Sequence, residues 1–120
     1  MDKTFLLVSA VAAFLGVGFG AFVAHGLRGR LSPEMLAVFE TGVRYQMYHA
    51  LAIFAVGLLL PRFGGWLVQL AGWSFTAGIV LFSGSLYALA LTGTTAFGAI
   101  TPLGGVLFLV GWAALIIVAI

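Results

Sequence analysis

The stretch from Thr4 to Ala24 contains no ionisable side chain, and it constrains this chain more than any other feature. At about 1.5 Å of rise per residue it reaches about 31 Å as a helix, the thickness of a bilayer's hydrocarbon core. Three comparable stretches follow, and in the whole 120-residue chain 63% of residues are hydrophobic and 7% charged. A soluble domain carries roughly a quarter charged residues. A water-soluble fold of this composition would expose large apolar patches and aggregate. The chain reads as an all-α polytopic membrane protein, a single domain over 1–120, with four transmembrane helices in a compact bundle.

Composition removes several function classes. There is no cysteine, which excludes disulfides, thiolate-held zinc or iron–sulfur clusters, and thiol catalysis. Five basic and three acidic residues are too few for a nucleic-acid footprint. No nucleophile–base pair or carboxylate dyad stands out, so no enzyme and no cofactor or metal is expected. The expected partners are membrane lipids, further copies of the chain, or a larger membrane complex. The first apolar run is about twice a secretory h-region and is broken by Gly16, Gly18 and Gly20, so it reads as a retained helix rather than a cleaved leader.

Four helices are predicted, over about 4–25, 33–60, 66–91 and 102–120. In the first, Ala12, Gly16, Gly20 and Ala24 recur every fourth position. This stripe suits close helix packing, which lipid-embedded helices need because no hydrophobic force draws them together. Ser32 and Pro33 form a cap and first position for the second helix, and Thr101 and Pro102 repeat the pattern for the fourth. The second helix enters amphipathically: Met35, Leu36, Val38 and Phe39 alternate with Glu34 and Glu40. Pro61 and Arg62 are expected to stop it. Lys3 and Arg62 lie at one end of the bundle, and Arg28, Arg30 and Arg44 at the other. The excess of basic residues puts the first loop in the cytoplasm and both termini outside.

Polar residues concentrate in the second helix. Glu40 and Arg44 are four apart, the spacing of an in-helix ion pair. Tyr45, Gln46 and His49 share a broad face. Counted back from Leu60, Arg44 lies roughly 6 Å and His49 roughly 14 Å inside the core. Two readings compete. Arg44, Tyr45 and His49, with Ser83, Ser85 and Tyr87 from the third helix and His25 from the first, can form a site for a small molecule, lipid or proton. Alternatively, these groups satisfy one another and hold helices together. A haem held by His25 and His49, or a quinone site, is a third option, weakened by the different depths of the two histidines. Trp112, mid-way along the fourth helix, is expected to pack between helices and donate to a carbonyl.

The segments Gly20–Leu27, Thr41–Ala52, Gly78–Tyr87 and Thr101–Gly105, with Gly111 and Trp112, resemble the domain-of-unknown-function 423 family. That family includes bacterial YgdD-like inner-membrane proteins and transmembrane-protein-256-like proteins of eukaryotes. The resemblance runs over essentially the whole chain. It implies a four-helix integral membrane protein in the inner membrane and brings no reaction, ligand or partner with it.

Overall fold

Prolines and glycines punctuate the helices. The computed structural model describes residues 3–120, so Met1 and Asp2 of the expected 1–120 domain lie outside the described residues. Helix α1 spans Thr4–His25, as expected. Helix α2 spans Pro33–Phe63, with the Ser32 hydroxyl accepting from the Met35 N–H at 3.2 Å. Helix α3 spans Trp66–Thr92 and is interrupted by a π-helical turn at Ile79–Ser83. Helix α4 spans Thr101–Ala119 and is led in by a 3₁₀ turn at Thr95–Ala99.

Three expectations need correction. First, α2 does not stop at Leu60. Pro61 lies in its last turn, where the missing N–H removes only one helical bond, and the chain reverses instead at Gly64 and Gly65. Gly65 has φ +119°, a conformation that glycine adopts without steric cost. The longer helix moves the depth scale. Arg44 and Arg62 are 18 residues apart, about 27 Å along the axis, so Arg44 marks the edge of the uncharged segment rather than lying inside it.

Second, Thr101 is not a cap. Ile100 is already helical (φ −82°, ψ −31°), and the Leu103 N–H bonds to its carbonyl at 3.0 Å. The Thr101 hydroxyl is left to meet the Ser85 hydroxyl at 2.6 Å. Third, the small-residue stripe of α1 packs against α2 only over part of its length. Gly16 is buried, Ala12 and Gly20 are half-buried, and Ala24 is exposed. A four-residue spacing drifts by about 40° per step around a 3.6-residue helix. By Ala24, three steps on, the contact has therefore passed to Val23 and Leu27, both buried.

Each helix packs along its sequence neighbour: α1 on α2, α2 on α3, and α3 on α4. Contact is closest at glycines. A Cβ on Gly16 would lie 2.5 Å from Met47 Sδ, one on Gly42 2.7 Å from the Tyr87 ring, and one on Gly78 2.5 Å from the Phe108 ring. Gly104 is tighter in kind, because its Cβ would strike backbone: the amide nitrogen of Phe82 and, at 2.7 Å, its Cα. Two apolar clusters result. One gathers Phe5, Ile53, Val56, Phe75 and Phe108; the other, towards the first loop, gathers Val23, Leu27, Phe39 and Ala90. Large apolar side chains such as Phe14, Leu58, Val80 and Leu109 remain exposed around the outside, where lipid is their solvent.

These contacts separate the glycines by consequence. Gly104→Ala should lower the melting temperature in detergent sharply, because α4 must back away from the α3 main chain. Gly18→Ala, with nothing within 4 Å of the added methyl, should leave it unchanged or raise it. Equal effects from the two would show that α3 and α4 do not meet at Gly104.

Candidate functional site

The Gly42–His49 stretch of α2 carries the polar groups into the bundle, and helical spacing distributes them to three neighbours. Gln46, 3% exposed, faces α1 and α3 together. Its amide nitrogen donates to the Ala12 carbonyl of α1 at 2.8 Å. Its amide oxygen accepts from the Tyr87 hydroxyl of α3 at 2.6 Å. One turn earlier, the Gly42 carbonyl accepts from the Ser83 hydroxyl at 2.6 Å. Ser83 is fully buried and closes the π-turn of α3. The missing side chain at Gly42 lets the Tyr87 ring lie against the α2 backbone, where Phe19 and Phe39 flank it at 5.1 and 4.7 Å.

His49 turns the other way, towards α4. Its ring stacks on Phe108 with centroids 3.6 Å apart and planes 7° from parallel. Nδ1 lies 2.8 Å from the Tyr45 carbonyl, and Nε2 lies 3.1 Å from the Trp112 indole nitrogen. An indole N–H only donates and a carbonyl only accepts. The imidazole is therefore neutral, protonated on Nδ1 and accepting at Nε2. Trp112 leans on His49 and Phe75 but is 44% exposed rather than packed between helices as expected, and its N–H partner is this imidazole rather than a carbonyl. The Tyr45 ring, at the surface, leans on Phe82 at 4.8 Å.

The predicted set is therefore divided. Ser83 and Tyr87 pair with Gly42 and Gln46 and do not face His49. Ser85 bonds within α3 to the Phe82 carbonyl at 2.9 Å and across to Thr101. His25 is exposed at the end of α1, and the Phe22 carbonyl beside it is satisfied by the backbone N–H groups of Gly26 and Leu27 at 2.6 and 3.2 Å. Gly16 lies over Met47 and Gly20 over Val43; continuing that antiparallel register, His25 and His49 differ in depth by about 16 Å. They cannot share one iron. Glu40 and Arg44 are both exposed on one groove between α1 and α2, and among the described residues no ion pair joins them.

Gln46 is the residue that sequence reasoning underrated. Its position groups it with its neighbours, yet a long amide just inside the uncharged segment that begins after Arg44 needs partners on adjacent helices once it turns inward. Phe108, which covers the His49 ring, gave no such signal. Among the described residues, no buried side-chain nitrogen or oxygen lacks a partner, and no three His, Asp or Glu residues cluster as metal ligands do.

The fold and its polar layer define a polytopic four-helix membrane protein whose buried hydrogen-bonding groups tie its own helices together. A family model described as "Protein of unknown function (DUF423)" matches residues 19–105, and the chain belongs to that family. It is 50% identical over 119 residues to the UPF0382 membrane protein YwdK of Bacillus subtilis, covering 98% of this chain and 97% of that one. The UPF0382 membrane proteins SERP0230 of Staphylococcus epidermidis and SSP2132 of Staphylococcus saprophyticus are 49% and 50% identical over 115 residues. Each alignment covers 96% of this chain, with 93% and 95% of the respective relative. No solved structure matches the chain significantly.

The bridging amide sets an order of effects. Gln46→Leu removes bonds to two helices and should destabilise the bundle by about 1–3 kcal/mol in detergent or bicelles. Tyr87→Phe, which removes only one of those bonds, should cost less. A Gln46→Leu protein as stable as the parent would mean that α1 and α3 are not joined through this side chain.

Proposed function

We propose that this protein is a non-enzymatic membrane component that works by association, either with further copies of itself or as an accessory subunit of a larger membrane complex. One observation supports this most: Gln46, His49, Ser83 and Ser85, the buried polar groups of the candidate site, are each already bonded to another helix. The outward faces of α1 and α4 present apolar side chains, with Phe14 80% and Leu109 69% exposed. The reading places the protein in the cytoplasmic membrane, which is the inner membrane of a cell with two. Arg28, Arg30 and Arg44 at the first-loop end, against Lys3 and Arg62 at the other, favour a cytoplasmic first loop and external termini.

A ligand or proton site built on Arg44, Tyr45 and His49 has less support. Arg44 opens onto the α1–α2 groove, whereas His49 is closed against Phe108 and Trp112 on the opposite flank.

The absence of cysteine makes the chain its own background for thiol probes. With single cysteines at Phe14, Leu109 and matching exposed positions on α2 and α3, oxidation in native membranes should give a discrete crosslinked species from at least one face. Monomer from every face and every helix would overturn the association reading. In intact cells, a membrane-impermeant maleimide should label Ile120→Cys and spare Thr94→Cys. The reverse pattern would invert the orientation.

A further inference from the structure

The α1–α2 seam has two hollows on the same flank. The upper one, about 340 Å³, is lined by Gly20, Val23, Ala24, Glu40, Val43 and Arg44. The lower one, about 220 Å³, is walled by Leu6, Ala10, Ala13, Ala50, Leu51 and Phe54, with Ser9. The Ser9 hydroxyl is turned back onto the Leu6 carbonyl at 2.9 Å, leaving an apolar surface. Arg44, Met47, Leu51 and Phe54 follow one another at three- and four-residue spacing, as do Leu6, Ala10, Ala13, Val17, Gly20 and Ala24, so the hollows lie along a single helix–helix seam. Arg44 and Phe54 are ten residues apart, about 15 Å of depth. Met47, resting on Gly16, and the exposed Val17 lie between the two hollows.

Among the described residues no charged side chain is in an ion pair; what sets Arg44 and Glu40 apart is that they share one hollow. Both are exposed. They stand where the uncharged segment of α2 begins, which is headgroup level. A cation and an anion side by side at that level, with a second, apolar hollow deeper on the same seam, are complementary to one molecular shape. That shape has a phosphate for the guanidinium, a primary ammonium for the carboxylate, and an acyl chain for the seam.

We propose that the α1–α2 seam is a specific binding site for one zwitterionic aminophospholipid, a phosphatidylethanolamine drawn from the surrounding leaflet. Arg44 holds the phosphate, Glu40 holds the ammonium, and one acyl chain lies over Met47 into the hollow beside Ala10 and Ala13. The site is separate from the internal polar layer and does not depend on the association proposed above. It also accounts for glycine and alanine along the outer flank of α1, where larger side chains would fill the hollows.

The test is native mass spectrometry of the delipidated protein titrated in detergent with dioleoyl-phosphatidylethanolamine, dioleoyl-phosphatidylglycerol or dioleoylglycerol. One retained phosphatidylethanolamine per chain is expected, with phosphatidylglycerol weaker and dioleoylglycerol weaker still. Arg44→Gln should weaken both phospholipids by about fivefold. Glu40→Gln should weaken only phosphatidylethanolamine and so erase the preference. Ala10→Phe should reduce retention of both by filling the lower hollow. All three positions are exposed or half-open and make no polar side-chain contact, so the unchanged melting temperature of each lipid-free variant serves as the fold control. Soluble glycerophosphoethanolamine should not compete, since the acyl chain is part of the fit. Equal retention of all three lipids, a preference for phosphatidylglycerol, or indifference to Arg44→Gln would overturn the proposal.

Discussion

Helices already inside a bilayer gain nothing from hiding apolar surface, because lipid tails solvate leucine and phenylalanine as well as a neighbouring helix does. They cohere through close van der Waals contact and through hydrogen bonds that would otherwise go unmade in hydrocarbon. In this bundle both act on one short stretch of α2, from Gly42 to His49. Gln46 bonds α1 on one side and α3 on the other, the Gly42 carbonyl takes Ser83 of α3, and His49 takes Trp112 of α4. Each of the other three helices is thus tied to α2 by at least one hydrogen bond to a buried residue of that stretch.

The form of α3 follows from that arrangement. Gly42 presses on it from one side and Gly104 of α4 from the other, at Phe82–Ser83. The π-turn at Ile79–Ser83 accommodates both. It turns the Ser83 hydroxyl onto α2 while the Phe82 main chain meets the bare Gly104 backbone. Such turns are often found at functional sites; here the turn serves the packing of three helices. The outside of the bundle keeps its apolar residues free to meet lipid or another protein, and Glu40 and Arg44, an acid and a base on one hollow, sit at the boundary.

Much of this architecture was legible in the residues. The four spans show as long uncharged runs, Thr4–His25 was bounded correctly by His25 and Gly26, and Ser32 caps α2 as its position before Pro33 implied. The rotation of each helix about its axis was not legible. A soluble helix displays its inner face through amphipathic periodicity, whereas these helices are apolar all round, so their spacing does not say which side faces a neighbour. The partners of Ser83, Ser85 and Tyr87 were therefore misassigned to His49. The depth of Arg44 was hidden for a different reason: Pro61 reads as a stop, although a proline in a helix's final turn forfeits a single bond. The π-turn carries no proline, and the one hydroxyl in it, Ser83, does not distinguish it from an α-helical turn.

The polar layer is internal structure: Gln46, the Gly42 carbonyl and His49 are each bonded to another helix. The nitrogen-15 spectrum of His49 in a reconstituted, isotopically labelled sample tests it most directly. The geometry requires a neutral ring protonated at Nδ1, with Nε2 accepting a hydrogen bond that Trp112→Phe removes. That tautomer is the minor form of a free imidazole, so finding it would show that the Tyr45 carbonyl and the Trp112 indole fix the ring. A ring protonated at Nε2, a charged imidazolium, or a signal unaffected by Trp112→Phe would contradict the account and return His49 to consideration as a ligand or proton site.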